Sequence, residues 1–155
     1  MGRIFAELIE GLSRNMQMPL TPEDNKTITL LIEKKLRLQM EEDSAGKYFQ
    51  VFADIADIPP GKFRENVLLY ALMANVYPYT TNGTLAYSEK LGKLVLFNNF
   101  PLETLKAEVL FEFLPKFNKK ALEWQEAIEG LNPAPNSVLR RAKKTEESNP
   151  FGIRP

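Results

Sequence analysis

Apolar residues at Phe5, Leu8, Ile9, Leu12 and Met16 are spaced three and four apart. That spacing predicts a first helix over residues 3–16 with a single apolar stripe. Pro19 and Pro22 then predict a loop through Thr21, Glu23, Asp24 and Asn25. The period next changes to two. Ile28, Leu30 and Ile32 alternate with Thr27, Thr29, Leu31 and Glu33, and Leu36, Leu38 and Met40 alternate with Arg37 and Gln39. These read as two half-exposed antiparallel strands joined through Lys34-Lys35. A polar turn over 41–46 leads to a third strand over 47–55. One of its faces carries Phe49, Val51, Ala53 and Ile55, and the other Tyr48, Gln50, Phe52 and Asp54. The second face holds more aromatic surface than solvent alone favours.

After Ile58-Pro59-Pro60-Gly61, the stretch 63–76 contains neither Gly nor Pro and predicts a helix roughly 21 Å long. Val67, Leu68, Leu69, Leu72 and Met73 run round its whole circumference, where a surface helix would show one stripe. It is too short to span a bilayer, which needs about 20 apolar residues. Such a helix requires cover on two sides. The chain's own sheet supplies one, and a second copy of the helix across a two-fold axis is the simplest other. The alternative is a central helix of a monomeric core. The dimer reading places Leu68, Leu69, Leu72, Met73 and Val76 at the interface.

Pro78 and the Asn82-Gly83 turn precede two further strands, over 84–88 and 93–97, joined through Lys90–Gly92. A last helix is expected over 105–129, with its stripe at Leu105, Val109, Phe113, Phe117, Ala121, Trp124 and Ile128. Pro115 lies inside it and is expected to kink rather than split it, because the period carries across unbroken. Gly130 ends the helix. The fold class is therefore α+β, in the order α-β-β-β-α-β-β-α, with a twisted antiparallel sheet packed by helices. Residues 1–131 form one domain. Residues 132–155, rich in Pro, Ser, Asn and charge, are expected to be a disordered basic tail.

Charge sharpens this division. The 155 residues carry no formal net charge. Residues 1–132 hold 15 basic and 18 acidic side chains, and residues 133–155 hold five and two. An acidic body argues against nucleic acid as a partner. Arg140-Arg141-Ala142-Lys143-Lys144 reads as a solvated stretch before it reads as an anion patch. The first eleven residues contain acids and no long apolar run, so no signal peptide is expected. No stretch is long enough to insert in a membrane.

Candidate chemistry is sparse. The chain contains no Cys and no His, which excludes disulfides, thiolate zinc sites, Cys nucleophiles and His-based triads. There is no glycine-rich phosphate loop. Glu41-Glu42-Asp43 is the densest carboxylate cluster, in a hairpin turn where acids are ordinarily solvated. Asp54 and Asp57 flank a strand end. No cofactor, metal site or catalytic residue is assigned.

The element order, ITLLIE, KLRLQM and YFQVFADIADIPP in succession, the Leu-rich helix ending in Ala74-Asn75, the hairpin LAYSEKLGKLVLFNNFPL, and Phe117, Ala121 and Trp124 in the closing helix together resemble the class I chaperones of bacterial type III secretion, the Tir chaperone family. The resemblance covers nearly all of residues 3–131. Members are often clearly acidic. The neutral overall charge, Pro115 and the long basic tail depart from that pattern.

The resemblance implies a non-enzymatic homodimer in the bacterial cytoplasm. Its partner would be the N-terminal extended segment of one or more secreted effectors, kept competent for export without nucleotide. The ATPase of the export apparatus would be a further partner. The effector-binding residues implied are Phe5, Leu8, Ile9, Leu12, Leu30, Leu36 and Leu38, which serve equally well as ordinary core. The rival is a small α+β enzyme or ligand-binding protein with an internal pocket, for which Arg64, Tyr87, Asn98 and Asn99 are the available polar groups.

Overall fold

The computed structural model describes residues 2–23, 26–76 and 82–147. In chain order the elements are α1 (Arg3–Met16), β1 (Thr27–Ile32), β2 (Leu36–Glu42), β3 (Tyr48–Asp57), α2 (Lys62–Val76), β4 (Thr84–Ser88), β5 (Lys93–Pro101), α3 (Ala107–Glu129) and α4 (Asn136–Glu147). The five strands form one antiparallel sheet in the order β1-β2-β3-β5-β4. The expected α+β order holds through α3. Asp24, Asn25 and Pro78, placed in loops from the sequence, and residues 148–155 of the expected tail lie outside the described residues.

Strand alternation sorts the side chains into two faces. In register, Leu38, Ala53, Leu96 and Leu85 form one row across the sheet, and all four are buried. With Ile28, Leu36, Met40, Phe49, Val51 and Leu94 they make the sheet's contribution to the core. α1 closes over this face through Phe5, Leu8, Ile9 and Leu12, all buried, with the Phe5 ring 5.7 Å from that of Phe49. Burial of each such side chain contributes about 1.5–3 kcal/mol. α1 also packs on α3, closely enough that a Cβ on Gly11 would lie 2.9 Å from the Ala107 Cβ.

α3 buries Leu110, Leu114, Phe117, Ala121, Trp124, Gln125 and Ile128. This corrects the expected stripe at its start. Val109 is exposed and Leu110 is inside, because the buried positions step by four and three from Leu110 onward and Val109 falls off that line. Phe113 still packs, edge-on against Phe100 at 4.9 Å. The helix is continuous through Pro115. Pro115 and Phe111 both face solvent, so the Phe111 carbonyl that loses its partner is near water. Gln125, buried, donates its Nε2 hydrogens to the carbonyls of Ile55 (2.9 Å) and Lys35 (3.2 Å). Ile55 sits where the β3–β5 register shifts, so its carbonyl needs a partner from outside the ladder.

Several boundaries move by one or two residues, with Leu105 falling before α3 and β3 running on to Asp57, and two differences go further. β5 runs on past Phe97 to Pro101, because Asn98 and Asn99 pair opposite Val51 and Gln50 of β3 despite their polarity. The second difference is larger. The region expected to be a disordered tail contains α4, and Ala134 and Ala142 are buried while Val138 and Leu139 pack against the core. Val138 and Ala142 lie four apart and Leu139 adjoins them, which makes a short apolar stripe inside a strongly charged sequence. Pro133 and Pro135 set the turn before it, and the Pro135 carbonyl accepts from the Val138 and Leu139 amides. α4 rests on α2.

Candidate protein-binding surfaces

α2 is less uniformly buried than its composition suggests. Val67, Ala71 and Ala74, at i, i+4 and i+7, face the core. On the opposite side Leu69, Leu72 and Val76 are 55%, 65% and 80% exposed. Their spacing of three and four makes one continuous apolar ridge. Leu68 and Met73 flank it, half-buried. All five residues assigned to an interface therefore lie on or beside the outer side of α2.

The flanks of α2 are fixed by polar contacts. Asn75 accepts from the Leu85 amide (2.9 Å) and donates to the Leu85 carbonyl (2.8 Å). One side-chain amide thus takes the place of a neighbouring strand on the outer edge of β4. Arg64 donates through Nε to the Ile58 carbonyl (2.6 Å), and its guanidinium lies 4.9 Å over the Tyr87 ring.

Among the described residues the other sheet edge is open, with β1 pairing only with β2. Along β1, Leu30 and Ile32 are half-buried on the core side, and Leu31 is 64% exposed on the other. Beyond β1, the sheet face away from α1 carries the cross-strand pair Phe52 and Phe97, half-buried and outside the main core. Beside α1, Ala6, Ile9, Ser13, Pro19, Leu20 and Pro22 line an open, mainly apolar hollow.

Most of the residues assigned to effector contact lie inside, the ordinary-core alternative that the sequence left open. Phe5, Leu8, Ile9, Leu12, Leu36 and Leu38 are all buried in the core, and Ile9 alone of these also lines the hollow beside α1. Leu30 keeps an accessible part. An alternating strand pattern shows which residues share a face, but it does not show whether α1 already covers that face. Sequence reasoning missed the edge residue Leu31, whose apolar side chain in the polar phase of β1 was the available signal.

The polar groups considered for a pocket or metal have separate structural duties. Arg64 and Tyr87 hold each other, while Asn98 and Asn99 belong to β5. Asp43 Oδ1 accepts from the amides of Lys47 (2.7 Å) and Tyr48 (3.0 Å), closing the β2–β3 turn. Glu41 accepts from the Thr27 hydroxyl (3.2 Å), and Glu42 from the Gly2 amide (3.2 Å). Asp54 reaches Arg37 at 3.8 Å. Among the described residues no group of three or more acidic side chains is placed to hold a metal ion, and no helix is long and apolar enough to cross a membrane.

The architecture is similar to several solved chains. The structure of the HopA1–SchA chaperone–effector complex matches with a TM-score of 0.64 and 23% identity, over 80% of this chain and 94% of that one. The ExoT–SpcS complex from Pseudomonas aeruginosa matches with a TM-score of 0.60 and 16% identity, over 78% and 97% of the two chains. The Yersinia pestis type III secretion chaperone SycH, in complex with a fragment of YscM2, matches at 0.59 and 12%, over 76% and 97%. No curated protein sequence matches. Residues 7–125 match the Tir chaperone protein (CesT) family, which is most of the chain from α1 through α3, and the protein belongs to that family.

Proposed function

We propose that this protein is a type III secretion chaperone that works as a homodimer in the bacterial cytoplasm. It binds the extended N-terminal segment of a secreted effector and keeps it export-competent without nucleotide. The observation that carries this reading is the open outer edge of β1, with apolar side chains on both of its faces. An extended segment added there gains main-chain hydrogen bonds from the edge, and its alternate side chains meet Leu30 and Ile32 on one face and Leu31 on the other. Family membership and the likeness to a solved chaperone–effector complex support the choice of partner. The α2 ridge supports the dimer, since a second copy of the ridge is its most economical cover.

The test uses N-terminal fragments of the source organism's secreted proteins, each co-expressed with the chaperone and identified after co-purification. One fragment should form a stable complex, and Leu31→Lys should weaken that complex without loss of fold, because Leu31 is exposed and a lysine blunts a strand edge. In the free chaperone, Leu72→Asp should give monomers by light scattering, because it places an unpaired carboxylate in the ridge. A complex indifferent to Leu31→Lys would move the client off β1. A Leu72→Asp protein that stays dimeric would move the interface off α2.

A further inference from the structure

Between α3 and α4 lies a cavity of 210 Å³ that neither the effector reading nor the dimer uses. α3 presents Lys116, Lys119, Lys120 and Glu123, spaced three and four apart and therefore on one face. α4 presents Ser137, Val138 and Arg141, again one and three to four apart. Ala74 of α2 and Trp124 line it as well. Four cations and one carboxylate thus converge on a hollow with an apolar floor. The α3 wall lies within the family match, whereas the wall built by α4 lies beyond residue 125, where that match ends.

We propose that this cavity binds the carboxylate side chains of an acidic polypeptide segment. The lining matches a glutamate: Trp124, Val138 and Ala74 for the alkyl stem, and lysine and arginine heads for the carboxylate. Three of the four cations are lysines, which can meet a carboxylate as point charges. Glu123 at the rim and the acidic body disfavour a polyanion as dense as nucleic acid. Lys120 is held in place by donating to the Gly83 carbonyl at 2.8 Å, and burial lowers its pKa. An incoming carboxylate offsets that loss of hydration. The site does not depend on the effector reading, since it shares no residue with the β1 edge.

Trp124 is the only tryptophan of the chain, so its fluorescence reports on the cavity directly. The full chain is titrated with a synthetic peptide of alternating Glu and Ala, with the same peptide carrying Gln for Glu, and with inorganic phosphate. The Glu peptide should shift Trp124 emission saturably, and binding should weaken severalfold between about 50 and about 500 mM salt. Lys116→Glu and Lys119→Glu, both at exposed positions, should keep the circular dichroism spectrum and weaken binding roughly five- to tenfold each. Leu31→Lys should leave it unchanged, which separates this site from effector binding. Equal binding of the Gln peptide, or no effect of either lysine reversal, would overturn the proposal. Phosphate binding as tightly as the Glu peptide would show a small-anion site instead and would equally overturn it.

Discussion

Replacing Asn75 tests one of the polar contacts that join α2 to the sheet. Its amide satisfies both main-chain groups of Leu85, a residue that is itself buried. Asn75→Ala removes both partners at once. A buried main-chain group left without a partner costs about 1–3 kcal/mol. The site is only partly buried, so water recovers some of this, and a loss of about 2 kcal/mol is expected. For a domain of this size that lowers Tm by about 4–8 °C. Asn75→Asp discriminates further. It keeps an acceptor for the Leu85 amide but sets a second acceptor against the Leu85 carbonyl. At neutral pH it should destabilise at least as much as Asn75→Ala. Near pH 4 part of the loss should return, because the protonated carboxyl can again donate.

The measurement is urea unfolding at one fixed protomer concentration, since the stability of a dimer depends on concentration. Amide hydrogen exchange at Leu85 localises the effect. If Asn75→Ala stays within about 0.5 kcal/mol of the parent and the Leu85 amide remains protected, the side chain is not the partner that holds this edge.

Gly83 has φ +103°, and a Cβ there would lie 3.0 Å from Leu96 and from the Phe117 ring, both fully buried, so Gly83→Ala should cost about 2–4 kcal/mol by urea unfolding. A chain ending at Asn132 loses α4 and uncovers part of α2 and α3, so its Tm should fall by several degrees, whereas an unchanged Tm would mean that α4 adds nothing to the body. Lys120, lowered by burial, binds fewer protons in the folded than in the unfolded chain, where its value is 10.5. Its burial penalty is therefore fully present below the folded pKa and disappears as pH rises toward 10.5, so the parent should gain stability relative to Lys120→Met between neutral and alkaline pH.

The elements were legible wherever a period ran unbroken. Phe5, Leu8, Ile9 and Leu12 define α1, and the alternations Ile28–Ile32 and Leu36–Met40 define β1 and β2. Even the β1–β2 link was placed closely, although its turn has no Gly or Asn: Glu33 and Lys34 take φ of 51° and 62°, and the Lys35 amide closes onto the Ile32 carbonyl. α4 was missed because composition outweighed pattern. Four basic residues hide a stripe of only Val138, Leu139 and Ala142, and its worth depends on α2 and α3 already being in place. The candidate site was harder still. Leu8 and Leu38 carry the pattern of a binding face, but only the packing of α1 on the sheet shows that they are inside. With Leu8 buried, a charge placed there is expected to unfold the chain before it reports on a client.

α2 brings these threads together. The sequence asks for cover around its whole circumference, and the chain supplies three parts of it: the core at Val67, Ala71 and Ala74, the β4 edge through Asn75, and α4. What remains is a ridge of three side chains. Full burial of such a side chain contributes about 1.5–3 kcal/mol, so the exposed parts of Leu69, Leu72 and Val76 contribute about 1–2 each. Six of them across a two-fold axis give about 6–12 kcal/mol, against an association cost of about 4–15. The ridge alone is therefore close to balance. The proposed dimer therefore also needs Leu68 and Met73, half-buried on its flanks, because closing the remainder of their surface would tip the sum toward it. α4 acts on the same balance from the other side: by covering part of α2 within one chain, it narrows the apolar surface left for a second copy to one ridge and its two flanks.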